Sequence, residues 1–405
     1  GTLIDPTGGA GDIEGARIRA VSERVFQDDP LRMLRAVRLA GQLGFEIAAS
    51  TEALIRRDAD QIMRPARERV REELLALLAP PDAAARVGQL DAHGLLAHVL
   101  PELDACKGVR QSLPHICDVY DHNLAVLDAL EELLDPLIPS PALAPPRSAT
   151  LRTPRREAFE RAVDGGGGPE GPTHYALRTT HPRPAPTLWG DSAPLAPWRE
   201  RMAQHLAVQV AYGQPRWLLL KLAALLHDVG KPPTRSVGED GRIHFYRHDS
   251  AGARLVEALL RRLKMPANSV AWVSRIVAAH LRPLHLSSRE SPRRRSLYRY
   301  FQASGAAGPD VALLSIADQR GKGFVEDRAA VVAVAQRILA GYFDEHEKLV
   351  AVRPLLDGAA IMATVGIEPG PRVGQLLARL KEAQASGHVR DRESAIKYIR
   401  DLTAR

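Results

Sequence analysis

His227 and Asp228 stand side by side at the end of the run from Leu218 to Lys231, LLLKLAALLHDVGK. Neutral imidazole and carboxylate together make a site for a divalent cation, because nitrogen and hard oxygen donors both suit Zn2+, Mn2+, Fe2+ and Mg2+. One adjacent pair cannot hold a metal, so further ligands must come from elsewhere. Four candidates each lie at the edge of an apolar helical run: His122 in YDHNLAVLDAL, His248 in FYRHDSAGARLVEALL, His280 in VSRIVAAHLRPLHL and Asp318 in LLSIADQRGKG. His93, His98, His115, His205, His244, His285, His346 and His388 read as ordinary surface or core residues.

The central pair needs a helix to carry it, and LLLKLAALL is apolar on all sides for about three turns, as in a helix buried within a helical domain. Gly230 and Pro232 supply its stop, a residue tolerant of left-handed geometry and one that cannot continue a helix. A second chemistry-bearing stretch is FQDDPLRMLRAVRLAGQLGF. Asp28 and Asp29 suit the N-terminus of its helix and Pro30 the first turn. Leu31, Leu34, Val37 and Leu43 mark a buried stripe, while Arg32, Arg35 and Arg38 recur on another face. Asp29 and Arg32, three apart, offer acceptors and donors on one edge, an arrangement able to pair with the Watson–Crick edge of a base.

At 405 residues the chain exceeds one typical core, so two or three folded units are expected. The formal charge of +7 favours polyanionic partners such as RNA or nucleotides. Two cysteines, Cys106 and Cys117, are too few for a disulfide framework or a thiolate metal site, and a cytoplasmic home follows as the expectation. Arg289–Arg299, RESPRRRSLYR, is the densest basic cluster; its interleaved Tyr298 and Tyr300 suit stacking beside a phosphate contact, or the run is a solvated helix start.

One His, then His-Asp, two further His and a late Asp is an order that resembles the HD superfamily of metal-dependent phosphohydrolases. The resemblance implies a helical bundle in which His122, His227, Asp228 and Asp318 bind a first metal, with Mg2+, Mn2+, Ni2+, Fe2+ or Zn2+ as the ion. It places His248 and His280 where a second metal or the substrate phosphate sits. Lys231 would assist a phosphate, making His227, Asp228 and Lys231 the catalytic group.

The N-terminal part resembles the class II tRNA nucleotidyltransferases, the CCA-adding enzymes and their poly(A) polymerase relatives. LIDPTGGAGDIEGARIRA is similar to their flexible-loop motif on Asp5, Gly8, Gly9 and Asp12. DDPLR is similar to the nucleotide-selecting E-D-x-x-R motif, with Asp28 in place of Glu, and RERVREEL (Arg67 to Leu74) to the helix that closes the neck. Gly370, Pro371 and Gly374 match a G-P-x-x-G segment near the C-terminus. This resemblance implies that Asp29 and Arg32, with Arg35 beside them, meet the incoming CTP or ATP, that tRNA is the partner, and that Mg2+ serves nucleotidyl transfer. It also implies that a catalytic head bearing an Asp-x-Asp pair lies ahead of Gly1, so that the chain is expected to select a nucleotide without joining it.

The expected fold is mainly α. Residues 1–25 read as head strands arranged in a hairpin, 26–104 as neck and body, 105–345 as the HD bundle with a disordered insertion over 136–197, and 346–405 as a helical tail. Two other functions fit the same residues: a stand-alone HD phosphohydrolase acting on nucleotides or RNA phosphate ends, and a non-catalytic RNA-binding module.

Overall fold

Leu31, Leu34 and Val37 are buried on one stripe, joined by Met33, Ala36 and Ala40, and they seat helix α1 (Leu31–Leu43) on the body. The stripe stops a turn short of Leu43, which is 52% exposed, because the helix ends at Gly44 in a left-handed conformation, φ 68°. The computed structural model describes residues 4–138, 188–190, 193–287, 292–322 and 328–404. Its fold is mainly α, with strands of two or three residues only among the described residues.

The expected N-terminal hairpin is absent among residues 4–25. Gly9–Glu14 is instead a short helix whose first amides, on Gly9 and Ala10, donate to the Asp5 carboxylate at 2.8 and 2.9 Å. Strand β1 (Arg17–Ile18) then pairs in parallel with β2 (Glu46–Ile47), beyond α1 in the chain. Thr2 and Leu3 lie outside the described residues.

Helices α2 (Arg67–Leu78) and α3 (Ala83–Ala92) complete the part of the body that matters here, with Leu74, Leu75, Leu77 and Leu78 all buried. The bundle beyond is built from α4 (Val119–Leu134), α5 (Arg216–Leu226), α6 (His248–Arg262), α7 (Ala267–Ala279), α8 (Arg294–Ser304), α9 (Gly308–Gly321) and α10 (Arg328–Phe343). Every residue of α5 from Leu218 to Leu226 is buried, and the helix packs on α2, α4 and α7 together. Even Lys221 faces inward: it pairs with Glu131 of α4 at 2.6 Å and donates to the carbonyls of Ala79 and Pro80 at 3.2 and 2.9 Å. Body and bundle therefore share one continuous apolar core. Among the described residues, no helix is long and apolar enough to cross a membrane.

Helices α11 (Gly358–Val365), α12 (Pro371–Ala385) and α13 (Arg392–Thr403) gather round a small core of their own, which includes Leu356, Ile361, Leu380 and Ile399. Glu382 of α12 docks this unit on α8 by accepting from Arg295 at 3.0 Å and from Arg299. The stacking role expected of Tyr298 and Tyr300 fails here, since both are buried. They lie on the apolar stripe of α8 with Leu297 and Phe301, while the arginines of that helix face α12.

Most of the expected insertion, residues 139–187, lies outside the described residues, but the boundaries at 136 and 197 were drawn too wide. Leu137, Leu188, Trp189 and Leu195 are buried. Trp189 donates its indole N–H to Leu133 O at 3.1 Å, the Leu195 amide donates to Leu188 O at 3.0 Å, and Arg199 donates to Pro136 O at 3.3 Å. Apolar side chains at both margins return the chain to the core.

Candidate metal centre and nucleotide edge

Five helices deliver the six ligand candidates to one place. His122 sits in the first turn of α4, which Asp118 caps by accepting the Asp121 amide at 2.8 Å. His227 caps the C-terminus of α5 with Asp228 next to it, His248 opens α6, His280 closes α7, and Asp318 lies in the last turn of α9. Two glycines let these backbones approach. A Cβ on Gly230 would lie 2.0 Å from His248 O and 2.5 Å from Gly252 N; one on Gly321 would lie 2.6 Å from Val126 Cγ2. Gly230 has φ −79°, so it is needed for closeness and not for the left-handed stop expected of it.

Asp228 is the hub. Its Oδ2 lies 3.2 Å from His227 Nε2, 3.6 Å from His122 Nε2 and 2.6 Å from Lys231 Nζ. Its Oδ1 faces the other way, 3.3 Å from His248 Nε2 and 3.7 Å from His280 Nε2. Asp318 Oδ1 approaches His122 Nε2 at 3.0 Å and His227 Nε2 at 3.9 Å. One carboxylate thus stands between two groups of donors, each with the ligand count of a divalent-cation site.

Three of these rings are preset. His227, His248 and His280 each donate Nδ1–H to the carbonyl three residues earlier, on Ala224, Phe245 and Val277, at 2.9, 2.7 and 2.6 Å. A carbonyl only accepts, so each Nε2 is left as a lone pair aimed inward, the orientation that a metal ligand needs. The Nε2 atoms of His248 and His280 then face one another at 3.3 Å. Two lone pairs at that range repel unless a cation lies beside them. His227 Nε2 is buried without a hydrogen-bond partner. A metal ion satisfies both features, so the residues fit one.

The electrostatics agree. Burial works to raise the Asp228 carboxyl, but the charges of His227 and Lys231 outweigh it and hold the group well below the usual range. Burial likewise opposes, and Lys322 and His122 overcome, at Asp318. Burial drives His280 down to about 3, with the charge of His227 adding to it. Ionised carboxylates and a neutral His280 suit metal binding, whereas at His227 burial is overcome by the charge of Asp228 and the pKa is raised, so a binding cation must displace that proton.

These groups floor a pocket of about 270 Å³ whose walls include Leu113, Pro114, Phe245, Leu281 and Leu284. Two further residues belong to the site. His115, read as ordinary from the sequence, meets His122 edge-on with ring centroids 4.8 Å apart and lies within ligand distance of His122 and Asp318. Lys322 pairs with Asp318 Oδ2 at 2.8 Å. His115 stands in a loop without periodicity, where the only signal was its place seven residues before His122. Lys322, four residues after Asp318, repeats on α9 the helical spacing of a salt bridge.

At the far end of the chain's first half, Asp29 accepts the Leu31 amide at 3.3 Å through Oδ1 and pairs with Arg69 at 3.1 Å through Oδ2. Arg69, in the RERVREEL stretch, is thus the ion-pair partner of Asp29. Arg32 is exposed, with no polar partner among the described residues. Arg35, expected beside them at the nucleotide, is committed elsewhere: it and Arg38 bind the two oxygens of the buried Glu73 at 2.9 and 2.7 Å.

Residues 44–107 match the model of the probable RNA and SrmB-binding site of polymerase A, and residues 200–318 match that of the HD domain. An A-adding tRNA nucleotidyltransferase of Deinococcus radiodurans is 32% identical over 407 aligned residues, covering 98% of this chain and 74% of that protein. The chain belongs to the tRNA nucleotidyltransferase family. A CC-adding relative from Thermus thermophilus is 30% identical over 96% of this chain and 70% of its own length. Among solved structures, a CCA-adding enzyme in complex with ATP aligns with 99% of this chain and 66% of its own, at 14% identity and a TM-score of 0.49. Within this family member, the HD match takes in five of the six ligand candidates; His122 precedes it.

Proposed function

We propose that this family member serves addition of nucleotides to the 3′ end of tRNA, taking CTP or ATP with Mg2+ in the cytoplasm, and that its HD domain is a divalent-metal phosphohydrolase acting on phosphoesters at RNA ends. For the first part, Asp29 and Arg32 select the nucleotide. Arg69 holds the Asp29 carboxylate in place, and the free guanidinium of Arg32 supplies donors to the base.

The observation that carries the second part is the convergence of His122, His227, His248 and His280 on Asp228, with Asp318 beside His122 and the His248 and His280 lone pairs opposed. His122, His227, Asp228 and Asp318 would hold one cation, and Asp228, His248 and His280 a second. Mg2+, Mn2+, Ni2+, Fe2+ and Zn2+ all accept this donor set, and a cation bound there supplies Lewis acidity toward a phosphoryl oxygen and lowers the pKa of its water. The protein's own part is to keep the imidazoles aimed, to seat the phosphoryl group beside Lys231, and to bind the leaving ribose against the apolar wall of Phe245, Leu281 and Leu284.

The test is hydrolysis of a terminal phosphate and of a 2′,3′-cyclic phosphate on a short RNA, across the five metals. His227→Ala and Asp228→Ala should each abolish turnover while CTP and ATP binding stays at the wild-type level. Unchanged turnover in both variants would refute the metal-centre assignment.

A further inference from the structure

Lys322 is buried at the C-terminal end of α9, and its side chain reaches back four residues to Asp318. Across the same pocket, Lys231 reaches back three residues to Asp228, held also by Gln111 Oε1 at 2.5 Å. Ammonium groups this buried are rare unless paired, and here each pairs with a carboxylate that is also a metal-ligand candidate. Two carboxylates and two ammoniums leave the four groups neutral as a set. Each divalent cation added to the carboxylates brings two positive charges into a buried space. Surplus positive charge there is costly without an anion, because the field is poorly screened.

We propose that Lys231 and Lys322 form a clamp for a dianionic phosphate, so that metal and phosphate bind cooperatively and the HD site acts on a terminal phosphomonoester in preference to a cyclic diester. This rests on the metal-dependent hydrolase reading and decides between the two substrates that reading allows. A monoester brings two charges and three non-bridging oxygens, enough for the metal ligation and both lysines. A 2′,3′-cyclic phosphate brings one charge and two such oxygens. When a cation draws the carboxylates toward itself, each lysine loosens from its aspartate and turns to the phosphoryl group, a role of charge-assisted donor that an ammonium fills readily. In the reaction, water oxygen bonds to phosphorus, the ester P–O bond breaks, and the leaving alkoxide takes a proton. R–O–PO3 2− and H2O become R–OH and HPO4 2−.

The experiment uses the full chain and its Lys322→Met and Lys322→Arg variants. Binding of inorganic phosphate is measured by equilibrium dialysis with and without Mn2+, Mn2+ content by elemental analysis, and kinetics on a short RNA ending in a 3′-phosphate or a 2′,3′-cyclic phosphate. Mn2+ should tighten phosphate binding to the wild type, and Lys322→Met should lose that tightening while keeping its Mn2+. Its KM for the terminal phosphate should rise about 10- to 100-fold, the loss of one charged hydrogen bond, with the cyclic substrate changed less than about threefold and Lys322→Arg partly restored. Unaltered phosphate binding and KM in Lys322→Met would overturn the clamp while the hydrolase reading stood. Loss of Mn2+ with an equal fall on both substrates would reduce Lys322 to a support for Asp318. A wild type that neither binds Mn2+ nor hydrolyses either RNA would take down the hydrolase reading and the clamp with it.

Discussion

Alanine at position 230 places a methyl carbon 2.0 Å from His248 O, 2.5 Å from Gly252 N and 2.9 Å from Gly252 Cα. An ordinary carbon–oxygen contact is about 3.3 Å, so the start of α6 and the turn after Asp228 must separate by about 1.3 Å. The obstacles are backbone atoms, and no rotamer change relieves them. His248 Nε2 lies 3.3 Å from Asp228 Oδ1, and metal–ligand distances tolerate about 0.2 Å. Gly230→Ala should therefore lose the cation between Asp228, His248 and His280. Overpacking of this kind costs about 1–3 kcal/mol, which lowers the melting temperature by roughly 2–10 °C. Elemental analysis of Mn2+ per chain and calorimetry read both effects. A Gly230→Ala protein with wild-type Mn2+ content and an unchanged melting temperature would show that the two backbones part at no cost, and the reasoning from close approach would be wrong.

Three further outcomes follow from the structure. Arg32→Ala should weaken CTP and ATP binding about 10- to 100-fold, as expected for a charged hydrogen bond, whereas Arg35→Ala should chiefly lower stability, because Arg35 is engaged by Glu73; nucleotide titration of the two variants checks the contrast, and equal effects would contradict it. Lys221→Met strands Glu131 in the core and should cost about 3–5 kcal/mol by urea denaturation. Hydrogen bonding from Arg295 first, and then Arg299, holds Glu382 down at about 2 against its ordinary 4.5. A depressed carboxyl stabilises above its unfolded value, so the docking of α12 on α8 is at full strength above about pH 4.5 and is lost as pH falls toward 2. Hydrogen exchange over residues 371–385 should show that loosening, and Glu382→Gln should be loose already at pH 7.

What the sequence made legible was whatever periodicity carries. The buried helix α5 is apolar all round, and each of the six ligand candidates sits at the edge of an apolar run, but what implied that they share one site was the resemblance to the HD superfamily. His115 was missed because it lies in a loop, where no period says which way a side chain points. Lys322 was overlooked because a lysine after an acid on a helix reads as one surface pair among many, and only burial sets it apart. Stacking by Tyr298 and Tyr300, one of two readings of the basic cluster Arg289–Arg299, fails because both share the core stripe of α8 with Leu297 and Phe301. Arg35 could not be told from Arg32 by spacing, since what separates them is Glu73, 38 residues further along the chain. Gly230 was recognised as special for the wrong reason: its neighbour across the gap, His248 O, belongs to another helix.

The margins of the stretch between α4 and α5 carry a consequence for how this molecule tolerates change. The described residues on either side of 139–187 meet directly: two hydrogen bonds, from Trp189 to Leu133 and from Arg199 to Pro136, pin the two margins together. The cost of closing a loop grows only slowly with its length once the ends are pinned. His122 lies at the opposite end of α4 from this clasp. Replacing residues 139–187 between these pinned margins with a reporter domain should therefore cost little stability and leave the metal ligands in place.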